Sequence, residues 1–154
     1  MAKKKVVGKK KKKPMPLEEW EQKQTFIWIF KWEADYPELK MANSSLNGVR
    51  MTPGSAVKQK KLGMRKGFPD INLPCWDLKK QYPGLYIELK RRGKVNTVRP
   101  DQKRWAAMLE KQGYFTCVCE GFHEAIDIIA DWMGMSEKER WSKEPDGKRP
   151  GGIL

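Results

Sequence analysis

Apolar and polar positions alternate along this chain with two periods, and each marks a stretch of regular structure. From Leu17 to about Ala34, Trp20, Ile27, Phe30 and Ala34 recur at helical steps and Pro37 stops the run, which predicts a first helix. On that helix Glu21 and Gln24 share a second face with Trp28. Residues 43–54 hold the turn dipeptides Asn47-Gly48 and Pro53-Gly54, read as a hairpin or loop, and a short basic helix follows from about Ser55 to Leu62, ending at Gly63. Two strands are expected over about Asp70–Leu73 and Leu85–Leu89, joined by a polar segment with Pro74, Pro83 and Gly84.

A helix from Pro100 to about Gln112 has proline at its first position, Asp101 in its first turn and Gly113 as terminator. Tyr114–Cys119 reads as a strand, and Phe122, Ala125, Ile126, Ile129 and Trp132 form the buried stripe of a last helix. This order of elements predicts a small α/β domain, a mixed central sheet flanked by helices. No internal repeat is visible. The pattern divides the chain into a polar arm (1–16), a body (17–134) and a polar tail (135–154).

Composition adds a charge asymmetry. Of the net +13, eight charges are lysines within the first thirteen residues, which leaves +5 for residues 14–154. A like-charged arm of almost no apolar content is read as disordered. Its basic excess favours polyanions such as nucleic acid through counterion release, although an anionic membrane surface would attract it too. Three cysteines without framework spacing argue for a reducing compartment. No apolar run approaches the ~20 residues of a membrane span, and the lysine-rich start lacks the apolar stretch of a secretory signal. A soluble, cytoplasmic protein is expected.

The candidate chemistry lies on the two middle strands. Residues i and i+2 of a strand share a face, so Glu88 and Lys90 point one way while Ile87 and Leu89 enter the core. Asp70 would join them if the strands are neighbours. Two carboxylates on one face suit Mg²⁺, which takes oxygen ligands and keeps several waters. A metal so held can assist phosphodiester hydrolysis, with a lysine stabilising developing charge. Spacing alone leaves open an ordinary exposed Glu–Lys pair.

Basic residues bracket these motifs: Lys58, Lys60 and Lys61, then Arg65 and Lys66, then Arg91, Arg92 and Lys94. They are read as phosphate contacts against the plainer alternative of solvated surface. Cys117 and Cys119, inside an apolar strand, lack zinc-knuckle spacing and are read as thiols. The single histidine, His123, is read as a cap or surface residue. Trp28 and Trp105 sit at core spacing, whereas Trp76 or Trp141 could stack on an unpaired base. No segment resembles a base-reading helix.

A wider frame surrounds these residues. Asn43–Gly48, Ala56–Pro74 with Phe68-Pro69-Asp70-Ile71, Gly84–Lys90 with Ile87-Glu88-Leu89-Lys90, Gln102-Lys103-Arg104-Trp105 and Gly113-Tyr114 together resemble the VRR-NUC (virus-type replication-repair nuclease) domain. The resemblance runs collinearly over about residues 18–132, and the small stand-alone members from bacterial viruses are the most similar. It implies the restriction-endonuclease-like fold of the PD-(D/E)XK nuclease superfamily and a DNA nuclease dependent on Mg²⁺, with Mn²⁺ as substitute. It marks Asp70, Glu88 and the Leu89 carbonyl as metal ligands, Lys90 as the catalytic lysine, and Gln102 as the residue that orients Lys90 or the phosphate. The first-helix acid best matches Glu21, with Glu18 and Glu19 within one turn of it. Where the family has a serine three residues before the glutamine, this chain has Arg99, which leaves Thr97 as a replacement cap or Arg99 as a phosphate contact.

The expected function is a structure-selective DNA endonuclease leaving 5′-phosphate ends, with Holliday junctions or other branched DNA as substrate. Symmetric cutting of two strands would require a homodimer. A flap- or end-directed nuclease, a nickase, and a non-catalytic basic DNA-binding protein are the alternatives.

Overall fold

In the computed structural model, which describes residues 17–45 and 51–143, helix α1 spans Glu18–Trp32. The lysine-rich arm, Asn47-Gly48 and the end of the polar tail lie outside the described residues. Three acids in the first turn of α1 suit the positive end of a helix. The buried face is not the Trp20, Ile27, Phe30, Ala34 stripe: Phe30 is 63% exposed and Ala34 falls beyond the helix. It is the second face, with Glu21, Gln24, Thr25, Trp28, Ile29 and Trp32. Two of the buried polar side chains there bond to main chain, Thr25 Oγ1 donating to the Glu21 carbonyl at 3.0 Å and the Glu21 carboxylate accepting from Phe122 N.

A 3₁₀ turn over Pro37–Met41 sets Leu39 in the core and leads to a two-residue strand, β1 (Asn43–Ser44), which the sequence pattern did not predict. Pro53-Gly54 is not a turn but opens helix α2 (Pro53–Lys61), whose N-cap Thr52 accepts from Ser55 N at 3.3 Å. Strands β2 (Ile71–Leu73) and β3 (Leu85–Lys90) follow, then a 3₁₀ turn, α3 (Pro100–Lys111), β4 (Phe115–Glu120) and α4 (Gly121–Met133).

The sheet has order β1-β2-β3-β4, with β3 antiparallel to β2 and parallel to β4. It is therefore mixed, as expected. A parallel neighbour requires a crossover, and α3 supplies it between β3 and β4. Leu85, Ile87 and Leu89 are fully buried and join α1 and α4 residues in one core. The opposite face carries Tyr86, Glu88 and Lys90, and α3 packs on that side through Gln102. Within residues 135–143, at the start of the polar tail, Met135 and Arg140 are buried. A short helix α5 (Glu137–Arg140) has a Ser136–Glu139 capping box, Arg140 is buried against Asp127 and Asp131, and Trp28 Nε1 donates to the Arg140 carbonyl at 2.7 Å.

Candidate active site

The antiparallel ladder pairs Leu73 with Leu85 and Ile71 with Ile87. Continuing that register sets Pro69 opposite Leu89. Proline offers no N–H, so the ladder cannot close there. Leu89 N donates instead to the Asp70 carboxylate, Oδ2, at 2.9 Å. A strand residue's N–H and C=O leave on the same side, so the Leu89 carbonyl faces the Asp70 side without a donor from residue 69. Ser45 N donates to the Asp70 carbonyl at 2.9 Å, which fixes the residue at the end of β2 from the other edge.

On β3, one pleat apart, Lys90 Nζ donates to Glu88 Oε1 at 2.6 Å, and both side chains are buried. Gln102 Nε2 from α3 donates to the same oxygen. The orientation of that amide has a local cause. Arg99 is the N-cap residue of α3, as the departure from serine implied, and its side chain accepts nothing; instead Gln102 Oε1 accepts from Arg99 N at 2.8 Å. With its oxygen occupied by the cap, the amide turns its NH₂ to Glu88.

Among the first-helix acids, the structure places Glu18 rather than Glu21 beside these groups. Glu18 Oε1 lies 3.9 Å from Lys90 Nζ. Glu21 is fully buried and accepts from Phe122 N at 2.9 Å, where it caps the first turn of α4. Gly121, at φ +79°, leaves room for it: a Cβ there would stand 3.2 Å from Glu21 Oε2 and 3.3 Å from Arg92 Nε. Sequence spacing could not separate two acids three residues apart on one helix.

The electrostatics are those of crowded acids. Burial first, then the Glu88 charge, pushes the Asp70 carboxyl up to about 7. Burial also raises Glu88, against the pull of Lys90. Glu18 raises both. The Lys90 ammonium pulls both back toward the charged form. Among the described residues no three His, Cys, Asp or Glu side chains gather as metal ligands. Two carboxylates and a main-chain carbonyl nevertheless form an all-oxygen donor set, which fits a hard ion that keeps most of its waters.

The other residues singled out by sequence lie around this centre. Lys58, Lys60 and Lys61 are exposed on α2, and Arg65 and Lys66 are exposed on the loop that leads to Asp70. Lys94 and Arg99, between β3 and α3, are exposed, and Arg91 and Arg92 are half-buried. Arg92 pairs with His123 Nδ1, and the imidazole stacks on Phe122 with centroids 3.9 Å apart, so His123 is neither a cap nor a surface residue. Trp28 is core, Trp76 is exposed, and Trp141 lies half-buried near His123. Trp105 packs edge-on to Phe68 at 5.1 Å and donates to the Lys66 carbonyl at 3.0 Å. Cys119 is buried with its Sγ 3.9 Å from that of Cys117. Among the described residues no helix is long and apolar enough to cross a membrane.

Comparison with known proteins agrees with this geometry. A solved structure described as a VRR-NUC domain protein is 26% identical, with a TM-score of 0.57, over 80% of this chain and 93% of that one. A search of curated proteins found no match. The model of the VRR-NUC domain matches residues 10–123, which include α1, the Pro69-Asp70 turn, Glu88, Lys90 and Gln102. The chain therefore belongs to the VRR-NUC domain family, nucleases of restriction-endonuclease-like fold that act on DNA.

Proposed function

We propose that this chain is a Mg²⁺-dependent, structure-selective DNA endonuclease that cuts branched DNA, Holliday junctions included, and leaves 5′-phosphate and 3′-hydroxyl ends. What supports the reading most is the pairing of half-buried Asp70 with buried Glu88, a charge arrangement that binding DNA alone does not need and that a divalent cation relieves. Asp70, Glu88 and the Leu89 carbonyl would hold Mg²⁺, with Mn²⁺ as substitute and Glu18 at the rim. The bound ion supplies Lewis-acid polarisation and a lowered pKa for water. Gln102 and Lys90 keep Glu88 in one rotamer, and the Lys90 ammonium offers a donor to the attacking water or the developing phosphate charge. Water attacks directly, so no covalent enzyme intermediate forms. Two strands of a junction are cut symmetrically by two sites, and the active species is a homodimer.

Labelled four-way, flap and linear duplexes incubated with Mg²⁺ or EDTA test this. Wild type is expected to cut the branched substrates only with Mg²⁺. Lys90→Ala and Asp70→Asn lose at least about 100-fold in rate, the scale of a removed charge-stabilising donor, and Glu18→Gln raises the Mg²⁺ requirement. An absence of Mg²⁺-dependent cutting would refute the reading, and undiminished cutting by Lys90→Ala would refute its residue assignment.

A further inference from the structure

We propose that the cavity under α3 receives one unpaired nucleobase adjacent to the bond that is cut. The substrate class is then DNA with an extruded or single-stranded nucleotide at the cleavage position. The inference rests on the DNA-nuclease reading of the Asp70–Glu88–Lys90 site.

The cavity, of about 350 Å³, lies between α3 and the Glu88 face of β3 and β4. Three properties carry the assignment. The first is continuity, because Glu88 and Gln102 line the cavity and also belong to the catalytic cluster. A nucleotide with its phosphate at that cluster therefore adjoins the cavity. The second is lining chemistry. Tyr86 and Val118 from the sheet, and Val98 and Ala106 from the α3 side, present apolar surface to the faces of a flat ring. Polar groups stand at both ends along α3, Lys103 beside Gln102 and, at the far end, Glu110, which accepts from the Thr116 hydroxyl, so a donor and acceptors are offered to the edge of a base.

The third property is shape. The space is bounded by a helix on one side and a sheet on the other, a slot that suits a flat ring. Its volume is at the low end of small-molecule sites, roughly 300–1,000 Å³. The wall is also pre-formed. Tyr86 is held edge-on between Phe68, at 5.9 Å, and Tyr114, at 5.2 Å. Enzymes that take a nucleotide out of the stack use a snug pocket with apolar or aromatic walls and polar contacts to the base edge.

The test uses 2-aminopurine placed in turn at each unpaired position of a flap, with binding read by fluorescence in EDTA and cleavage read with Mg²⁺. Wild type is expected to change the emission several-fold at one position. Ala106→Trp and Val118→Phe fill the cavity from opposite walls. Whichever of them melts as wild type does is expected to remove that response and to lower kcat/KM on the flap by at least tenfold. Silence at every position with wild type, or a filled variant that keeps both the response and the rate, would mean that the cavity is only a packing gap and would overturn the proposal. A response without Mg²⁺-dependent cutting would refute the nuclease reading and leave the pocket standing, whereas cutting without a response would refute the pocket alone.

Discussion

At Asp70, burial and a like charge act on one carboxyl and push it up to about 7. A carboxyl raised above its unfolded value binds more protons folded than unfolded, so folding stability falls as pH rises from roughly 4 to 7, and the penalty is complete above that window. Asp70→Asn removes the charge and keeps an acceptor for Leu89 N–H. The metal-free variant is expected to exceed wild type by about 2–4 kcal/mol at pH 8 and by nothing at pH 4. Adding Mg²⁺ stabilises wild type by mass action and leaves the variant unmoved. Urea melts at the two pH values, with and without the ion, measure all of this. Equal stability of the two proteins at pH 8 would show that the pair is not strained.

Elements bring these residues together, and Gly67 is where two of them meet. Its φ is +81°, and a Cβ there would stand 2.9 Å from the Asp101 backbone at the start of α3. Gly63 also has a positive φ, +100°, but open space around it. Gly67→Ala is thus expected to cost about 1–3 kcal/mol and to displace the Pro69-Asp70 turn, while Gly63→Ala carries only the backbone term, about 1–2 kcal/mol. Cleavage rates should separate the pair further, falling with Gly67→Ala and holding with Gly63→Ala. A Gly67→Ala protein with the wild-type rate would sever the link between this loop and the site. Strand alternation set Glu88 and Lys90 on one face, whereas Gln102, which the structure brings against Glu88 from a helix, was singled out by the collinear frame alone. The buried face of α1 was not legible: the helix is apolar around much of its circumference, and the polar residues it buries find partners such as Phe122 N, 101 residues away. Nor was β1, two exposed residues with no period to read. By contrast, Thr52-Pro53 and Ser136 to Glu139 carried helix-start signals that turn dipeptides and overall polarity masked.

Over the whole molecule, charge is divided against itself. The centre gathers Glu18, Asp70 and Glu88, which repel phosphate, so approach of DNA depends on cations elsewhere. Exposed lysines on α2 and the Arg65-Lys66 loop lead toward Asp70, and eight further lysines precede residue 14. These two sets should separate by function. On the proposed function, residues near the site set which DNA geometry fits, whereas a lysine-rich run with little apolar content binds any duplex through released counterions. Deleting residues 2–13 is expected to weaken binding at low salt and to flatten the slope of log K against log salt, by at most about 7 for eight lysines on duplex DNA. The proposed preference for branched over linear DNA and the proposed Mg²⁺ requirement should not move, because neither rests on the arm. Filter binding over a salt series, paired with cleavage of both substrates, separates the outcomes: an unchanged slope would mean that the arm does not touch DNA, and a lost preference would mean that it reads the branch.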